Sequence, residues 1–198
     1  KAGDSVYVEG FTSPATLILM GGGHVNRCVA RFGKALGFRI LVMDDRPEFA
    51  NKERFPEAEE VAVTSYDRGL EPFHVTYNTA VIVATRGHQH DDMALAVAAR
   101  SPARYVGLIG SKRKTILIFE QLLKREVPVE RLKEIHAPIG LDIGGRTPEE
   151  IAVSILAEIL SDRYGATGNP MKLEETRLRK LYDKTRSGHV RPTEAPPT

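Results

Sequence analysis

The sequence predicts an α/β chain: a doubly wound, mostly parallel sheet with helices on both faces. Three observations carry this prediction. Short apolar runs alternate with stretches of helical periodicity, and each run is continuous rather than alternating. Continuous runs suit strands that are covered on both faces, as in parallel sheets. The first run ends at Gly21-Gly22-Gly23, directly before a helical pattern, so a strand passes through a glycine turn into a helix. With right-handed crossovers, that alternation winds into a Rossmann-like layer structure.

The elements follow in order. Residues 1–14 are mixed and rich in turn formers, and form a lead-in. Ala15–Met20 is the first strand. Val25, Val29, Phe32 and Leu36 then recur at helical spacing until Gly37 stops the pattern. Phe38–Met43 is the second strand and runs into Asp44-Asp45. Val61–Val63 is the third. Ala80–Ala84 is the fourth, with Met93, Leu95, Val97 and Ala98 in the helix beyond it. Arg104–Ile109 is the fifth, followed by a helix to about Lys124. Thr147-Pro148-Glu149-Glu150 combines an N-cap threonine, a first-position proline and a capping-box glutamate, so it opens a helix that runs to Gly165. The domain is expected over 15–165. A basic helical tail, 166–198, has one more helix near Leu173–Tyr182 and a proline-rich end.

Composition sets limits. The chain has 198 residues, of which 41% are hydrophobic and 27% charged, as in ordinary globular proteins. Its longest apolar run, Ala80–Ala84, is strand-sized, far short of the roughly 18–20 residues that cross a bilayer, so no membrane span is expected. The single cysteine, Cys28, forbids an internal disulfide and fits a reducing cytoplasm. A net charge of +2 gives no reason to expect nucleic-acid binding. The positive excess sits in the tail: residues 171–198 carry net +3 and residues 1–170 net −1. The chain begins at Lys1, which suits a fragment or a processed product, and no signal peptide is visible.

Five segments and one cysteine carry chemistry. In Gly21-Gly22-Gly23-His24, Gly21 permits a tight turn. Gly23 lets a phosphate approach the helix N-terminus, where free N–H groups favour an anion. Asn26 stands where a third glycine is usual, which weakens the close approach of helix to strand. Asp44 ends the second strand, where an acid accepts hydrogen bonds from a ribose, and Asp45 and Arg86 join it as candidate contacts. His88, His90 and Asp91, at the end of the fourth strand, suit acid–base work or ligand contact. His88 and His90 are also spaced for chelation, without a diagnostic metal signature. Asp91 equally suits a helix N-cap. Gly110-Ser111-Lys112-Arg113-Lys114 places three cations at a helix start. There they oppose the helix dipole unless an anion docks, although the spacing is not that of a P-loop. His136 and Asp142 lie in a glycine-rich loop that either touches a ligand or closes the sheet edge. Cys28 is either a thiol activated by the helix N-terminus or a small packing group.

Taken together, several segments resemble the Rossmann domain of the XdhC/CoxI family: Gly21–Val25, Asp44–Ala50 with Arg54-Phe55-Pro56, Thr85–Asp91, Gly107–Lys114, His136–Gly144 and Thr147–Ala152. The resemblance covers about residues 15–165. It implies a maturation factor, or chaperone, that binds molybdenum cofactor and delivers it to an apo-molybdoenzyme of the xanthine dehydrogenase or CO dehydrogenase type. The cofactor would be molybdopterin or its cytosine dinucleotide form. A cysteine desulfurase and a separate N-terminal domain of the same family are implied partners, since longer members carry such a domain with a cofactor-linked cysteine. Cys28 does not correspond to that cysteine. The same glycine turn suits a small NAD(P)-dependent oxidoreductase, in which His88 or Asp91 is the acid–base group and Asp44 favours NAD over NADP. It also suits a non-catalytic nucleotide sensor whose homo-oligomeric state shifts on binding.

Overall fold

A computed structural model describes residues 14–187, apart from the side chains of His88, Gln89 and Ser187. The expected lead-in, except Pro14, and the end of the tail lie outside the described residues. The elements are β1 (Thr16–Met20), α1 (His24–Ala35), β2 (Arg39–Asp44), β3 (Glu60–Val63), β4 (Thr79–Val83), α2 (His88–Arg100), β5 (Tyr105–Leu108), α3 (Lys112–Lys124), α4 (Val129–Lys133), β6 (Ile135–His136), α5 (Pro148–Tyr164) and α6 (Glu175–Ser187). A 3-10 turn at Tyr66–Arg68 lies between β3 and β4. Compactness divides the chain after Ala166, and α6 lies in the second unit.

The six strands form one parallel sheet in the order β3-β2-β1-β4-β5-β6. The chain runs outward from β1 in one direction and then restarts at β4 in the other, so the crevice between β1 and β4 is the switch point at which such sheets bind ligands. Side chains alternate across the sheet. Leu17, Leu19, Ile40, Val42 and Ile82 face a core shared with Val29 and Ala30 of α1 and Ile155 and Ile159 of α5. Ile18, Met20, Leu41, Met43, Val81 and Val83 face the opposite core, with Leu95 of α2 and Ile118 and Leu122 of α3. Both faces are therefore dry, which is why the strand runs are continuously apolar. Each fully buried aliphatic side chain contributes roughly 1.5–3 kcal/mol relative to exposure.

Three features differ from the sequence expectation. His136 does not lie in a loop: with Ile135 it forms the edge strand β6, paired with Val106 and Gly107. Two residues are too few to display a period. Leu36, the last residue of the first helical pattern, is not within the helix but is its exposed C-cap, because α1 ends at Ala35. The helix–strand contact weakened on paper at Asn26 is made at Gly33, where a Cβ would sit 2.7 Å from Leu17 Cδ1. The capping box is present as expected: Thr147 Oγ1 accepts the Glu150 N–H, and Glu150 Oε2 accepts the Thr147 N–H at 3.0 Å.

Candidate functional site

The carboxyl ends of β1, β2, β4 and β5 meet at one end of the sheet, and the motif residues gather there. The glycine turn after β1 divides by function. Gly21 has φ +110°, and a Cβ there would lie 2.2 Å from the Ala84 carbonyl oxygen. A Cβ on Gly22 would lie 2.1 Å from the Phe49 carbonyl oxygen. The chain itself requires both glycines. Gly23 differs: nothing lies within 4 Å of its Cβ position. It is the N-cap of α1 and offers no side-chain cap, so the first N–H groups of the helix are left to other partners. Asn26 secures the turn from below, its amide donating to the Gly21 carbonyl at 2.7 Å.

Asp44 is 1% exposed. Its Oδ2 accepts the Gly22 N–H at 2.7 Å and Arg46 Nη2 at 3.2 Å. Its Oδ1 accepts the Arg46 N–H at 3.1 Å and Arg46 Nε at 2.9 Å. Burial alone would raise the pKa of this carboxyl. The hydrogen bonds from Arg46 and Gly22 outweigh it and hold the group below the usual carboxylate range. Asp44 thus fastens the glycine turn to the end of β2.

Asp45 is more accessible. Arg86, on the turn after β4, reaches across the end of β1 to Asp45 Oδ2 at 2.8 Å. His90 Nδ1 lies 3.0 Å from the Arg86 carbonyl oxygen, and its Nε2 is 3.9 Å from Asp45 Oδ2. Tyr66 presents its ring edge-on to His90, and burial together with Asp44 and Asp45 pushes its phenol pKa up. The side chain of His88 lies outside the described residues. Asp91 is not the N-cap of α2, which is Gly87. Instead it is wholly buried, with Oδ1 accepting from Thr85 N at 3.1 Å and Thr85 Oγ1 at 2.8 Å, and it is ion-paired to Lys114. Among the described residues, no three His, Cys, Asp or Glu side chains converge as metal ligands.

At the start of α3, Ser111 is the N-cap and accepts the Lys114 N–H at 3.2 Å. Lys114 turns inward to Asp91 and the Ile109 carbonyl. Lys112 and Arg113 are exposed. His136 stacks on Tyr105 at 4.2 Å and lies 3.5 Å from Glu158 Oε1. Glu158 also accepts from Tyr105 Oη and, at 2.8 Å, from the Gly140 N–H. These contacts pin the 137–145 loop to α5, so His136 serves the sheet edge, whereas Asp142 is exposed. Cys28 lines a cavity of about 640 Å³ beside α1 with Arg27, Arg31, Asn51, Arg54 and Glu149. Burial and then Glu149 push its thiol pKa up, so the thiol is not activated by its helix.

Sequence reasoning passed over Arg46, Arg54, Tyr66 and Glu158. The run Asp44-Asp45-Arg46 and the segment Arg54-Phe55-Pro56 were visible, but no spacing rule assigns those arginines a role.

Residues 17–159 match the family described as the XdhC Rossmann domain. The chain belongs to that family. As an XdhC Rossmann domain it is 36% identical over 168 residues to the uncharacterized protein YqeB of Escherichia coli K12, covering 84% of this chain and 31% of that protein. It is 31% identical over 159 residues to a probable xanthine dehydrogenase subunit of Bacillus subtilis 168, covering 80% of this chain and 46% of that one. A crystal structure of a xanthine dehydrogenase from Bacillus halodurans superposes with a TM-score of 0.66 at 30% identity, covering 80% of this chain and 45% of that one. The domain spans less than half the length of these relatives. No described helix is long and apolar enough to cross a membrane.

Proposed function

We propose that this XdhC Rossmann domain serves as an accessory factor to xanthine dehydrogenase-type molybdoenzymes, and that it holds molybdenum cofactor at the β1–β4 crevice for delivery to an apo-enzyme. The observation that carries this is the open ground above Gly23, at an α1 N-terminus with no side-chain cap. A phosphate fits there, because the helix offers N–H donors and a favourable dipole without a Cβ in the way. Molybdopterin carries one phosphate, and its cytosine dinucleotide form carries a pyrophosphate and a ribose. Family membership and the names of the Bacillus relatives support the link to xanthine dehydrogenase.

When bound, the cofactor supplies molybdenum redox chemistry to the client enzyme. The domain's own residues position and shield it. Gly23 and His24 N–H groups would hold the phosphate. Arg86 would exchange Asp45 for ligand, and Lys112 and Arg113 would add charge from α3. Partnership with a cysteine desulfurase or a separate N-terminal domain belongs to the same proposal.

Thermal-shift titration tests it, with molybdenum cofactor released anaerobically, CTP, NAD and NADP as ligands. A ligand at about 100 times its Kd adds roughly 2.7 kcal/mol to a folded state that alone binds it. Stabilisation by the cofactor or CTP is expected. Stabilisation by the nicotinamide nucleotides alone would replace this function with that of an oxidoreductase or a nucleotide sensor.

A further inference from the structure

Beside Gly22 and Phe49 the guanidinium groups of Arg46 and Arg54 converge, and Arg27 lines the same cavity as Arg54 and acts on its charge. Arg54 Nε donates to the Gly22 carbonyl at 2.7 Å, which places its guanidinium against the glycine turn. Its Nη2 is buried and makes no hydrogen bond. Arg46 lies 3.6 Å and Arg54 4.9 Å from the centroid of the same Phe49 ring, so the two share one aromatic platform. Arg27 stands one turn into α1, its N–H bonded to the Gly23 carbonyl. After burial, the charged groups acting on Arg54 are Arg27, Asp44 and Arg46, and the two arginines oppose its charge. Asp44 is the acid among them, and it is spent on Arg46 and Gly22. The 640 Å³ cavity that opens beside Arg27 and Arg54 is also lined by Glu48, Glu53, Glu57 and Glu149, but none of these is ion-paired to the arginines among the described residues. A buried unpaired donor among mutually repelling cations is costly unless an anion completes the group.

Asp44 bears on what that anion is. A carboxylate has about four acceptor sites. Four donors from the chain already occupy Asp44, which is 1% exposed. A ribose diol finds no free acceptor there. What the end of β2 presents instead is Arg46, 23% exposed, and Arg54 beside it.

We propose that Arg54, with Arg27 and Arg46, forms a clamp for a phosphate on the β2 side of the glycine turn, and that the site selects ligands phosphorylated at that position over ligands offering a bare ribose diol. This rests on the ligand sitting at the glycine turn, and it reverses the preference expected from Asp44 alone. The class of ligand is a nucleotide or a phosphorylated heterocycle with a second anionic group within reach of Arg54.

Isothermal titration of the full chain with NADP, NAD and inorganic pyrophosphate tests it. NADP and NAD differ by a single ribose phosphate. Wild type is expected to bind NADP at least tenfold more tightly than NAD. Arg54→Gln should abolish that difference and weaken pyrophosphate at least tenfold. Arg54 also touches the turn, so Arg27→Gln provides a second variant without that bond, and its NADP preference should fall several-fold while the melting temperature holds. Equal binding of NADP and NAD by wild type, or a preference retained in both variants, overturns the clamp and leaves the ligand site standing. No binding of any of the three probes also overturns the clamp, and the molybdenum cofactor and CTP arms of the thermal-shift titration then decide the proposed function separately.

Discussion

At the residue scale, the three glycines of one turn do different work, and substitution separates them. Gly22→Ala drives a Cβ into the Phe49 carbonyl and should cost several kcal/mol or misfold the chain, as steric strain at a fixed backbone does. Gly23→Ala meets no atom and should cost under about 1 kcal/mol, the usual difference between glycine and alanine at an N-cap. Chemical denaturation measures both. If Gly23 is where a phosphate lands, Gly23→Ala also loses the ligand-induced thermal shift, while Gly22→Ala cannot be tested for ligand until it folds. Asp44 makes a prediction in pH. Its pKa is lower folded than unfolded, so its contribution to stability is fully present above the unfolded value, about 4. That contribution drains away as pH falls from there through the folded value. Asp44→Asn should destabilise the domain by about 2 kcal/mol at neutral pH, since charged hydrogen bonds are lost. It should also flatten the acid limb of the stability curve. An unchanged acid limb would mean that Asp44 does not carry it.

At the element scale, segments with an apolar run or a helical period are legible in the sequence, and segments with neither are not. The capping box at Thr147 was readable because it is local: three residues and a proline define it. Thr147→Ala should cost about 1 kcal/mol, read by denaturant midpoint. In α3, Ile116 and Ile118 are two positions apart and look alike in sequence. Ile118 is buried and Ile116 is 60% exposed. Ile118→Ala should cost about 2–5 kcal/mol and Ile116→Ala within about 0.5 kcal/mol. Strand β6 and helix α4 are not legible because Ile135-His136 makes no apolar run and Val129–Lys133 has only two apolar residues, Val129 and Leu132. β6 exists because Val106 and Gly107 leave an edge to pair, and His136 stacks on Tyr105 to cover it.

At the scale of the molecule, the strand order puts the glycine turn, Asp45, Arg86 and His90 at one end of the sheet. A ligand at the switch point should slow amide hydrogen exchange at Gly21–His24 and Thr85–His90, and leave Tyr77 and Ser101–Arg104, at the opposite end, unchanged. Protection confined to that opposite end would remove the crevice as the site. The sequence by itself determined the fold class and the strand–turn–helix at Gly21–Gly23, because apolar runs, glycine turns and caps act between near neighbours in the chain; the family came from the resemblance of several segments taken together. Only the tertiary structure decided which charges are free. Asp44 and Asp91 stand in ligand-binding positions in the sequence, yet in the fold they are spent on Gly22, Arg46, Thr85 and Lys114. Arg54, to which no spacing in the sequence assigns a role, is carried 32 residues back to the Gly22 carbonyl. A polar side chain has a few hydrogen-bonding sites and fills them with whatever folding brings within about 3 Å, which no spacing along the chain encodes.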